Sequence, residues 1–136
     1  MDERSGFNEI EHTADWELEV WAPDLEGLLE QAARGMYSLN GAALEPGPRT
    51  KRSLQLEAQD SESLLISFLS ELLYLAEAEG LGFDTFQLQI QDYRLTAGLE
   101  GAPLRQVSKE IKAVTYHNLK VEAGPQGLRA SIVFDV

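Results

Sequence analysis

The chain has 136 residues, 11 Lys and Arg against 23 Asp and Glu, a formal net charge of -12 and no cysteine. That length predicts one domain spanning residues 1–136, large enough to bury roughly two thirds of its unfolded surface. The missing thiols exclude disulfides, cysteine zinc sites and iron-sulfur clusters, and two histidines are too few for a His-rich metal site. The acidic start Met1 to Gly6 has no apolar leader and no apolar run reaches the roughly 20 residues that span a bilayer, so a cytoplasmic protein with no membrane attachment is expected.

Residues 16–21 alternate, with Trp16, Leu18 and Val20 on one face and Glu17 and Glu19 on the other, the pattern of a half-buried strand. Asp24 is a candidate N-cap for a helix whose apolar positions Leu25, Leu28, Leu29, Ala32, Ala33, Met36 and Leu39 recur at helical spacing up to Asn40-Gly41. Glu45-Pro46-Gly47-Pro48 predicts a loop, and 51–59 a second alternating strand. A second helix opens at Asp60-Ser61, carries Leu64, Leu65, Phe68, Leu69, Leu72, Leu73 and Ala76 inward, and stops at 80–82.

The remainder reads as strands over 83–91, 94–99, 111–122 and 128–136, with turns at Asp92-Tyr93 and 123–127. The expected fold is α+β: two helices packed on mostly antiparallel sheet, with a strand-helix-strand unit over about 16–59 and another over 51–99. No phosphate-cradling or dinucleotide glycine motif and no nucleophile elbow occurs, and a Ser-His-Asp relay through His12 or His117 has no supporting signature.

Charge is unevenly spread. From residue 94 onward six bases (Arg94, Arg105, Lys109, Lys112, Lys120 and Arg129) face four acids (Glu100, Glu110, Glu122 and Asp135), so the negative charge is concentrated before that point. Tight direct binding of nucleic acid is not expected, because neutralising phosphates supplies most non-specific affinity; a basic protein partner or a bound cation suits the composition better. Asp15 and Asp135 both lie out of phase with core-facing neighbours, so each should point away from the core. If their strands are neighbours these carboxylates meet, with the α-carboxylate of Val136 beside them. Such a cluster repels itself unless a cation or a basic group intervenes, and an all-oxygen set suits Ca²⁺ or Mg²⁺, with water or a partner needed to complete a Ca²⁺ shell; solvated terminal acids are the simpler alternative.

The segment Glu110 to Asn118 combines β-branched alternation with Lys112, Tyr116 and His117. Lys112 sits in this stretch against local strand propensity, and its plainest reading is an exposed strand lysine that discourages edge pairing. His117 shares parity with Ile111, Ala113 and Thr115, which predicts a semi-buried, hydrogen-bonded ring, and Glu71 a surface or helix-pairing residue.

Four segments in order, Ile10-Glu11-His12-Thr13-Ala14-Asp15, Glu71-Leu72-Leu73-Tyr74-Leu75, Glu110 to His117, and Val133-Phe134-Asp135-Val136, resemble the archease family across nearly the whole chain. The resemblance implies a non-enzymatic activator of an RtcB-type RNA ligase. That ligase joins a 2',3'-cyclic phosphate or 3'-phosphate RNA end to a 5'-hydroxyl end in tRNA splicing and RNA repair, and the activator promotes ligase guanylylation and multiple turnover. It also implies a divalent cation, Ca²⁺ first and Mg²⁺ or Mn²⁺ otherwise, on Asp15, Asp135 and Val136. Lys112 would face the partner or its nucleotide, and His12 would support the Asp15 loop. Two other readings compete: a small metal-dependent hydrolase or nucleotidyl transferase using Asp15 and Asp135, and a metal-free binding module.

Overall fold

The computed structural model describes residues 4–11 and 15–136, with Glu11 and Asp15 described by backbone only. A first sheet is built from β1 (Gly6–Glu11), β2 (Asp15–Ala22), β9 (Gly127–Asp135) and β7 (Ala113–Thr115) in that order, with β8 (Glu122–Gly124) also pairing β9. A second sheet centres on β6 (Arg94–Gln106), which pairs with β3 (Ala43–Leu44), β4 (Thr50–Glu57) and β5 (Leu81–Gln91). Every pairing in both sheets is antiparallel. The helices α1 (Leu25–Leu39) and α2 (Ser61–Glu79) each pack against both sheets. The α+β architecture is therefore as expected.

Alternation explains how the sheets divide their faces. Leu18 and Val20 of β2 and Ala130, Ile132 and Phe134 of β9 are buried, whereas Glu17, Glu19, Ser131 and Asp135 face the other way. In the second sheet β4 turns Leu54 and Leu56 inward and Lys51, Ser53, Gln55 and Glu57 to solvent. Both sheets and both helices feed one hydrophobic cluster, with Phe68 and Phe134 its largest fully buried side chains. Burying each such ring stabilises the fold by about 1.5–3 kcal/mol relative to exposure.

The two helices start with the same device. Asp24 accepts a hydrogen bond from the Gly27 N–H, and Asp60 accepts one from the Ser63 N–H, both at 2.7 Å. Two residues after each cap, a glutamate takes a strand-side amide: Glu26 accepts from Ile90 N–H at 3.3 Å and Glu62 from Val121 N–H at 2.8 Å. The pattern Asp-x-Glu-x-Leu-Leu thus occurs at Asp24 to Leu29 and again at Asp60 to Leu65, a local repeat carried by the helix starts. Gly80, in the left-handed conformation at φ 67°, closes α2 with its N–H on Ala76 O.

The largest departures from expectation lie in three places. β6 runs on to Gln106 through Gly101 and Pro103, where the sequence predicts an end at residue 99. Gly101 lies so close to β5 that a Cβ would sit 2.7 Å from the Phe83 Cα, and the register shift between Phe83 and Thr85 absorbs the irregularity. β1 escapes the alternation test because Phe7 and Ile10 fall out of a two-residue period. The predicted strand 111–122 is broken in the middle: Ala113 to Thr115 pair with β9, Asn118 turns at φ 54°, and pairing with β9 resumes in β8 at Glu122. The Asp92-Tyr93 turn stands as expected, with both residues at positive φ between the paired Gln91 and Arg94.

Candidate functional site at the end of the first sheet

β2, β9 and β7 come together at one end of the first sheet. Asp15 of β2 is the direct register partner of Asp135 of β9, and Ala113 of β7 is its partner on the other side. Residues opposite one another in an antiparallel pair lie on one face with Cβ atoms about 4.5–5.5 Å apart. Asp135 is exposed on the outer face, and the inward phase is taken by Phe134, fully buried in the core. Val136 follows, half-buried and packed against the hydrophobic cluster. Among the described residues no three His, Cys, Asp or Glu side chains gather as a metal cluster, and His12 lies outside the described residues.

Lys112 is tied to this sheet end through its backbone. Its N–H donates to the Asp135 carbonyl at 2.8 Å, while its side chain is exposed. The flanking residues Ile111 and Val114 are 7% and 9% exposed, so the stretch is pinned from below on either side of the lysine. Further upstream the Asn40 carbonyl, at the C-cap of α1, accepts from Ser108 N–H at 2.9 Å and Lys109 N–H at 3.1 Å. Lys109 lies with its Nζ 4.4 Å from the centre of the Trp16 ring, a cation-π contact one residue from Asp15. Two lysines therefore border the strand end that carries the two aspartates. In the sequence Asn40 is legible as a helix stop, but its grip on residues 108 and 109 and the Lys109–Trp16 contact join distant segments and leave no local signal.

His117 differs from its expectation. It is exposed because β7 ends at Thr115, so the parity that would have buried the ring no longer applies. Its N–H donates to Thr115 Oγ1 at 3.2 Å, which in turn donates to Val133 O at 3.1 Å, and its Nε2 lies 3.3 Å from Asn118 Nδ2. These contacts shape the turn. Tyr116 beside it is 57% exposed.

The model of the Archease protein family (MTH1598/TM1083) matches residues 7–136. The chain belongs to the archease family. Protein archease of Thermococcus gammatolerans is 36% identical, over 89% of this chain and 91% of that one, and protein archease of Methanosarcina mazei is 33% identical, over 96% and 95%. The fold is also that of archease structures. The solution structure of Methanobacterium thermoautotrophicum protein 1598 superposes with a TM-score of 0.72 at 26% identity, covering 96% of this chain and 99% of the other. The crystal structure of an archease from Thermotoga maritima, described as a possible chaperone, gives 0.71 at 26% identity, covering 95% and 96%. The family match runs through the row that pairs Asp15 with Asp135 and through Lys112.

Proposed function

We propose that this archease activates an RtcB-type RNA ligase in the cytoplasm, promoting guanylylation of the ligase and its repeated turnover in tRNA splicing and RNA repair, and does not itself join RNA. The observation that supports this reading most directly is the cross-strand pairing of Asp15 with Asp135, next to Val136 and to the backbone-anchored Lys112. Register partners of an antiparallel pair share a sheet face, so Asp15 and Asp135 can offer a hard-oxygen donor set there. They suit Ca²⁺, Mg²⁺ or Mn²⁺, with Asp15, Asp135 and Val136 as the holding residues and the rest of the shell left to water or the partner. When bound, the ion would neutralise phosphate oxygens and bring a triphosphate into line for nucleotidyl transfer.

The rest of the work falls to the protein. Lys112 carries its charge on an exposed side chain while its own N–H is spent on Asp135 O, so its backbone is fixed and its ammonium, with no ion pair among the described residues, can meet phosphate in a partner's site. The net charge of -12 disfavours independent RNA binding and favours a basic, phosphate-binding enzyme as the partner. The description of the Thermotoga maritima relative as a possible chaperone fits a protein that acts on another protein.

The test is direct. Adding this protein to purified RtcB-type ligase with GTP and a divalent metal should raise the rate of ligase guanylylation and allow more than one RNA joining event per ligase. No change in either quantity would overturn the reading. Turnover of GTP or RNA ends by the protein alone, abolished by Asp135→Asn, would favour the metal-dependent enzyme instead.

A further inference from the structure

A concave surface adjoins the aspartate row on the helix side. One wall is α2, through Leu73, Tyr74 and Glu77, and the other is the chain from Leu104 to Val114 that delivers Lys112; together they enclose a groove of about 700 Å³. Tyr74 is 60% exposed and Val107 44% exposed, and they line the same groove. Single exposed apolar residues are ordinary on a protein surface. An aromatic and an aliphatic residue across one groove, above a half-buried Leu73, form instead the kind of anchor point that protein interfaces favour.

The charges beside it narrow the occupant. Several carboxylates of this chain are matched internally: Glu79 by Arg52, Glu100 by Arg49, Glu57 by Arg94 and Glu30 by Arg34. Glu77 and Glu110, in the groove, have no such partner among the described residues. They repel nucleic acid, and at a net charge of -12 they also disfavour a second copy of this chain. A protein segment with an apolar side chain between basic ones matches the groove in both shape and sign. The groove runs directly to Lys112, whose N–H holds Asp135.

We infer that this groove docks a basic segment of the ligase that carries an apolar side chain, and that docking there supplies affinity for the enzyme beside Lys112 and Asp135. The inference rests on the ligase reading and adds to it a contact surface separate from the aspartates. Tyr74→Glu and the double variant Glu77→Lys with Glu110→Lys alter exposed positions only, so circular dichroism should show both folded. In calorimetric titration against purified RtcB-type ligase, each should bind about tenfold more weakly or worse. The guanylylation rate should recover when the variant is supplied at saturating concentration, because Lys112 and Asp135 are untouched.

Unchanged affinity in both variants, with wild type binding and activating normally, would overturn the groove alone. A lowered maximal rate at unchanged affinity would do the same. A wild-type protein that neither binds nor activates the ligase would overturn both readings. Sedimentation that shows a dimer broken by Tyr74→Glu would assign the groove to a second copy and refute a ligase segment.

Discussion

Asp135→Asn should have opposite effects on stability with and without divalent metal. Asp135 faces Asp15 across an antiparallel pair and is exposed. At a separation near 5 Å in a largely aqueous environment, two like charges repel by roughly 0.5–1 kcal/mol. Removing one of them in the presence of a chelator should therefore raise the melting temperature by about 2–4 °C for a chain of this size. Calcium reverses the order. A ligand at a hundred times its dissociation constant stabilises the folded state by about 2.7 kcal/mol, a shift on the order of 10 °C, which wild type should show and Asp135→Asn should lose. Differential scanning calorimetry with EDTA and then with millimolar calcium measures both halves. A variant that melts below wild type in EDTA, or that gains as much from calcium as wild type does, would refute the carboxylate pair as a cation site.

Lys112→Ala should change stability by less than about 0.5 kcal/mol, because the side chain is exposed and the N–H to Asp135 O survives, yet it should abolish ligase guanylylation; retained activation would return Lys112 to edge protection. Gly35→Ala should destabilise α1 despite a helix-propensity gain of about 1 kcal/mol, because overpacking costs about 1–3 kcal/mol. The new Cβ would stand 2.6 Å from Leu18 Cδ2 and 3.0 Å from Phe7 Cγ, and urea denaturation reads the net loss. Acid should weaken the fold through two carboxylates held below their usual range: Asp60 by the Ser63 N–H that it caps, and Asp84 by hydrogen bonds from Arg49. A depressed folded pKa means that their contribution is present above the unfolded value of about 3.9 and is lost as pH falls through the lower folded one. Urea midpoints measured from pH 5 downward should fall less steeply in Asp84→Asn, and an unchanged slope would count against the pair.

The elements that alternate or repeat cleanly were legible from residue type alone. The strand at 16–21, both helices and the Asp92-Tyr93 turn needed only local periodicity and turn chemistry, and so did the outward phase of Asp135. The parts that were not legible depend on contacts between distant segments. Residues 111–122 have strand composition throughout, but β9 offers a partner only to 113–115 and again to 122–124, and the Val121 amide goes to Glu62 instead. The same break exposes His117. Gly101 and Pro103 look like strand breakers, yet β6 continues because Gly101 allows β5 to come close. At the site, neighbouring strands for Asp15 and Asp135 were a condition that the sequence could pose and the register meets, whereas the contact of Lys109 with Trp16 had no sequence precursor.

That last contact gives the protein an optical handle. Trp16 directly follows Asp15 in the chain and carries the Lys109 ammonium 4.4 Å from its ring centre, and the sequence has just two tryptophans. With Trp21 changed to phenylalanine, all indole emission would arise beside the aspartate pair. A cation nearby perturbs the excited state of an indole, so any event that draws Lys109 off the ring, whether ion entry or partner docking, would be read as a change in fluorescence without attaching a dye.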